Sequence, residues 1–116
     1  MSSPQAAPID LTRLEETADG DPEFVAELVE IFVDDAHEQI RQIQKAIQGS
    51  DAIGLECRAH QLKGSSANVG ADGMSNWALR LEEAGKSGVF EEAAKIVSEL
   101  EAEFERVCSH LKDILG

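Results

Sequence analysis

The residues best suited to chemistry in this chain lie together in Ala59-His60-Gln61-Leu62-Lys63-Gly64-Ser65-Ser66-Ala67-Asn68-Val69-Gly70. A neutral imidazole is a good nitrogen nucleophile near neutral pH, because its unperturbed pKa is about 6.5. Lys63 follows His60 by one helical turn. An ammonium there favours the neutral ring and can offset the charge of incoming phosphoryl oxygens. Gly64 comes next, and its missing side chain leaves room for a phosphoryl group or another protein's backbone to approach the ring. Such a histidine suits holding a phosphoryl group on nitrogen. It does not suit hydrolysis, since no base, water activator or oxyanion hole is identifiable for it. No nucleotide-binding motif of the P-loop or kinase type occurs either.

The local composition conflicts with the element that must hold this histidine. Gly64 costs roughly 1 kcal/mol against alanine inside a helix, and Ser65, Ser66 and Asn68 are mediocre helix formers. Yet Leu55, Ala59, Leu62, Ser66 and Val69 keep a helical apolar register straight through the stretch. The spacing therefore predicts a helix, capped by Ser50 or Asp51 and stopped at Gly70. At about 100° per residue, its inward stripe points roughly 140° away from His60, so the imidazole faces outward. Ile53, Glu56, Cys57, Lys63, Gly64 and Ala67 share the His60 face. A rule broken inside an otherwise consistent helix is where function is expected.

The remaining elements also read as helices. Asp10 caps a short one carrying Leu11 and Leu14, ending at Gly20. Asp21-Pro22-Glu23 starts a second, with a cap, proline in the first turn and an acid beside it. It runs to about Ile47, with Phe24, Val25, Leu28, Val29, Phe32, Ala36, Ile43 and Ala46 on one side, and Gly49 ends it. Asp72 is the expected cap of a fourth helix whose inward stripe is Met74, Trp77, Leu81 and Ala84, with Gly85 and Gly88 bracketing its end. The last helix repeats Phe90, Ala93, Val97, Leu100, Phe104, Val107, Leu111 and Ile114 in steps of three and four, a bundle seam. No segment alternates as a strand. The expected fold is all-α, an antiparallel up-down-up-down four-helix bundle with a short additional N-terminal helix, spanning residues 9–116 behind a frayed tail at 1–8.

Totals narrow the function classes. With 116 residues the chain forms one domain, and 28% charged residues with no long apolar run argue against a membrane protein. A net charge of −13 disfavours nucleic acid and anionic lipid as partners. Met1-Ser2-Ser3-Pro4-Gln5 lacks the pattern of a signal peptide, and two cysteines 51 positions apart make no disulfide framework, so cytoplasm is the expected compartment. Cys57-x-x-His60 together with Cys108 and His110 offers zinc-ligand types. Cys108 and His110, however, diverge by about 200° on one helix, and no metal site is expected. A bundle that only binds partners, without phosphoryl chemistry, is the other reading the pattern leaves open.

His60-Gln61-Leu62-Lys63-Gly64-Ser65-Ser66, with Gly70 beyond, resembles the signature of the histidine-containing phosphotransfer (HPt) domain of two-component phosphorelays. Arg58-Ala59, Leu81-Glu82 and Phe32 at the end of an apolar run look like the same pattern. The resemblance implies that His60 is phosphorylated on Nε2, that Lys63 steadies the phosphoryl oxygens and that Gly64 gives a partner access. It implies reversible transfer to and from an aspartate of a receiver domain on a response regulator or hybrid kinase. The receiver would supply Mg²⁺, and this chain, a monomer, would carry no cofactor and no kinase activity. On the fourth helix Ser75, Leu79, Glu82 and Lys86 share a face opposite Trp77 and Ala84. That face, with Ile53, Glu56 and Ala67 around His60, is the expected docking patch for the receiver.

Overall fold

The computed structural model describes residues 8–115, and the expected tail at 1–8 lies outside them except for Pro8. Five helices follow in order: α1 Thr12–Thr17, α2 Pro22–Gln48, α3 Ala52–Asn68, α4 Asp72–Ser87 and α5 Phe90–Leu115. No strand occurs among the described residues. α2 packs on α3, α3 on α4, α4 on α5, and α5 closes back onto α2. Turns of two or three residues join the four long helices, which makes each antiparallel to the next. No helix among the described residues is long and apolar enough to cross a membrane.

Local chemistry sets most of the boundaries. Asp10 Oδ1 accepts the Thr12 N–H at 3.0 Å from one residue before the N-cap position of α1, which is Leu11 and makes no side-chain cap bond. Asp21 accepts from the Glu23 N–H, with Pro22 opening α2, and Asp51 accepts from the Gly54 N–H at the start of α3. Gly70 follows the end of α3 at φ +79°, and a side chain there would strike the carbonyl of Asp10. The Asp10 N–H donates to the Gly70 carbonyl at 3.0 Å, which seats the N-terminal segment on the α3–α4 turn. Asp72 departs from its expected role. It is the first residue of α4, and its carboxylate is held by the Arg13 guanidinium at 3.0 Å, so a tertiary partner displaces the cap.

The core runs through Val25, Val29, Phe32, Ala36 and Ile43 of α2, Leu55, Ala59 and Leu62 of α3, Met74 and Leu81 of α4, and Val97, Leu100 and Val107 of α5. Two expected core residues lie outside it. Phe24 sits on the flank of the buried line through Val25 and Val29 and is exposed. Ile114, on the last turn of α5, is also exposed, at the rim of a groove beside Ile9 and Leu11.

α4 is the larger correction. Trp77 is half-buried, with the Arg80 guanidinium 4.9 Å from its ring centre, whereas Ala78, Glu82 and Gly85 are buried. The helix buries two faces because it packs on both α3 and α5. Met74 and Leu81 enter the core, and the line Ser75, Ala78, Glu82, Gly85 turns toward α3.

Candidate functional site

The two helices of the site approach closely because small residues line their seam. A Cβ built on Gly85 would lie 2.8 Å from the backbone nitrogen of Glu56, so α4 rests directly on the main chain of α3. The Ser75 hydroxyl donates to the Lys63 carbonyl at 3.0 Å further along the same seam. On α3, Leu55, Ala59, Leu62 and Ser66 are buried as the register requires, and this fixes the helix's rotation. That rotation leaves the His60 side chain 65% exposed.

Glu82 stands in the seam behind the histidine and is only 6% exposed. Its Oε2 lies 3.1 Å from His60 Nδ1, and its Oε1 accepts from Lys63 Nζ at 2.7 Å. Lys86 Nζ approaches Oε2 at 3.7 Å from one turn along α4. The Lys63 hydrogen bond, opposed by burial and aided by the His60 ring, holds the Glu82 carboxyl below its ordinary value. Glu82 is therefore ionised at neutral pH. An ionised carboxylate can only accept hydrogen bonds, so Nδ1 must carry the ring proton. The Nε2 lone pair is then free to act as a nucleophile, on a side chain that is largely exposed.

Comparison with known proteins bears on the same residues. The family model of the Hpt domain matches residues 27–110, a span that contains His60, Lys63, Glu82 and Lys86. The chain belongs to the Hpt domain family. It is 25% identical over 101 residues to histidine-containing phosphotransfer protein 2 of Arabidopsis thaliana, covering 84% of this chain and 65% of that one. It is 26% identical over 96 residues to the phosphorelay intermediate protein rdeA of Dictyostelium discoideum, covering 83% of this chain and 38% of the relative. It thus spans less than two thirds of the length of these curated relatives. The crystal structure of histidine-containing phosphotransfer protein B from Pseudomonas aeruginosa PAO1 superposes with a TM-score of 0.82 at 27% identity, covering 97% of this chain and 96% of that one.

Within this Hpt domain the expected site residues divide into two groups. His60, Lys63 and Glu82 are brought together, and Gly64 is exposed, with nothing within 4 Å of where its Cβ would be. Ile53, Leu79 and Lys86 are exposed, while Glu56, Ala67 and Ser75 are half-buried. Glu82 does not belong to an outward docking face: it is buried, and Ser75 is turned toward the Lys63 backbone. The resemblance places Glu82 near His60, but as part of an outward patch and not as a buried partner of Nδ1. The signal for the buried pairing is the spacing Ala78, Glu82, Gly85, an acid flanked at helical steps by small residues that let another helix come close. Also unforeseen is an apolar groove of about 520 Å³ on the other flank of α3, walled by Leu14, Leu28, Ile31, Phe32, Ser65 and Val69. Ile31 is largely exposed at its rim.

Proposed function

We propose that this chain is a phosphocarrier that accepts a phosphoryl group on His60 Nε2 and exchanges it with an aspartate of a receiver domain in a two-component phosphorelay. The observation that carries the reading is the Glu82 carboxylate, 3.1 Å from Nδ1 of an imidazole whose side chain is 65% exposed. Family membership and the relatives' names support it.

The geometry accounts for the chemistry in both directions. In the forward step the Nε2 lone pair attacks phosphorus, the N–P bond forms, and the P–O bond to the receiver's aspartate breaks. The electron pair leaves with the aspartate as carboxylate. The Nδ1 proton stays where it is, so the phosphorylated ring becomes positively charged. Glu82 stabilises that charge as it develops, through a hydrogen bond already in place. In reverse the ring departs as neutral imidazole, with the proton still between Nδ1 and Glu82. No proton has to be moved in either direction, which suits a carrier that must both take and give.

The chain supplies the nucleophile and its orientation. Mg²⁺ and the transfer machinery belong to the receiver in this reading, and a cytoplasmic monomer is the form it implies. Gly64 leaves the surface beside the ring low, and exposed Ile53 and Leu79 together with the groove at Ile31 offer apolar area for docking. Incubation with a phosphorylated receiver domain should give the chain acid-labile, base-stable phosphate, and His60→Gln should abolish it. Label that persists in His60→Gln would exclude His60 as the carrier.

A further inference from the structure

We propose that Lys86, rather than Lys63, is the cation that contacts the phosphoryl group on His60, and that Lys63 is the strut that holds Glu82 in place. The proposal rests on the reading of His60 as the carrier and assigns the two lysines of that site different tasks.

Lys63 is already committed. Its ammonium makes a 2.7 Å charge-assisted bond to Glu82 Oε1, its side chain is 31% exposed, and its carbonyl is held by Ser75. Swinging it to a phosphoryl group would leave Oε1 unpartnered inside the seam, and an unpaired buried carboxylate oxygen is costly. Lys86 is held more loosely. Its Nζ stands 3.7 Å from Oε2, beyond hydrogen-bond length, and its side chain is 59% exposed. It approaches Oε2, the oxygen that also receives His60 Nδ1, and so lies on the imidazole side of the carboxylate.

The helix geometry brings Lys86 to the histidine from the opposite direction to Lys63. Gly85 rests on the backbone of Glu56, so the next residue, Lys86, emerges beside the turn of α3 that precedes His60. Lys63 belongs to the turn that follows it. Charge balance gives Lys86 its purpose. In the resting site Lys63 makes the close pair with Glu82 and Lys86 a looser one at 3.7 Å, so two cations stand against one carboxylate. A dianionic phosphoryl group on a positively charged ring brings one net negative charge, which Lys86 offsets.

The test needs no partner. Each protein is phosphorylated chemically with phosphoramidate, and the phosphohistidine signal that His60→Gln removes is followed by ³¹P NMR as a function of pH. A cation against the phosphoryl group favours its dianion, so Lys86→Gln should raise the second ionisation of the group by about half a pH unit or more. Lys86→Arg should restore the wild-type value, and Lys63→Gln should move it less than Lys86→Gln does. An unchanged ionisation in Lys86→Gln overturns the proposal and makes Lys86 a docking residue at most. An equal or larger shift in Lys63→Gln overturns it in favour of the opposite assignment. If the wild-type protein acquires no signal that depends on His60, the carrier reading itself fails and takes this proposal with it.

Discussion

Gly64 and Gly85 are both helix-interior glycines on helices that touch, and they serve opposite surfaces. Around Gly64 nothing lies within 4 Å of a would-be Cβ, and the residue is exposed one turn beyond His60. At Gly85 the same added carbon would meet the Glu56 backbone at 2.8 Å. The first glycine keeps space open on the outer face of α3. The second removes space between α3 and α4, and that close approach is what lets a buried acid on α4 reach a histidine that faces solvent on α3. A glycine's meaning in a helix is thus decided by what stands opposite it. One face is shaped for a partner, the other for the site's own support.

The largest effect should come from closing the seam's gap. Gly85→Leu places side-chain atoms against main chain that cannot turn aside, and overpacking of this kind costs about 1–3 kcal/mol. A thermal melt should show the lower stability, and transfer from a phosphorylated receiver should fall by about 10-fold or more as Glu82 is carried away from the ring. A destabilised variant that transfers at the wild-type rate would show that the seam supports the fold but not the site.

Glu82→Gln keeps the shape of the seam and removes its charge. The amide neither enforces the Nδ1–H tautomer nor stabilises a positive ring. Transfer should slow by roughly 10–100-fold, as when a carboxylate that orients a metal-bound histidine is lost. A stopped-flow comparison with wild type at one pH checks this.

The opposite sign is expected on the outer face. Gly64→Ala should stabilise the domain by about 1 kcal/mol, the helix-propensity difference, since the methyl group meets nothing. Chemical labelling by phosphoramidate should be unaffected, while transfer from a receiver should slow, because only the latter needs a second protein beside the ring. A loss of stability in Gly64→Ala would break the contrast with Gly85.

The smallest effect concerns acid. The Lys63 hydrogen bond, and after it the His60 ring, lower the Glu82 pKa in the folded state, so the ionised carboxylate favours folding. That contribution is fully present above the ordinary value of 4.5 and is lost as pH falls through the lower folded value. The stability difference between wild type and Glu82→Gln should therefore hold steady at neutral pH and shift only below 4.5. Denaturant melts across that range measure it.

Much of the bundle was legible because most of its helices bury a single face. The steps of three and four in α5 and the register of α3 through Ser66 and Val69 both point at the core they join. α4 misleads a one-face reading. Trp77 draws the apolar stripe toward itself, but its ring stays half-buried under Arg80 while Ala78, Glu82 and Gly85 face α3. Close helix contact made by small residues leaves no hydrophobic signal, so the helical wheel turns Glu82 outward. Asp72 fails for a related reason, since its partner, Arg13, comes from a distant helix. His60, Lys63 and Gly64 could be singled out by type and spacing on one helix. The carboxylate that orients the ring lies on another, and only packing brings it there.

The role of Glu82 turns on which ring nitrogen of His60 acts. Long-range ¹H–¹⁵N NMR of the protein with labelled histidine, before and after phosphorylation, reads this directly. The resting His60 should be the Nδ1–H tautomer, and after phosphorylation the phosphoryl group should sit on Nε2 with the Nδ1 proton retained. A resting Nε2–H tautomer, or a phosphoryl group on Nδ1, would contradict the assignment of Glu82 as the group that presents Nε2 to the partner.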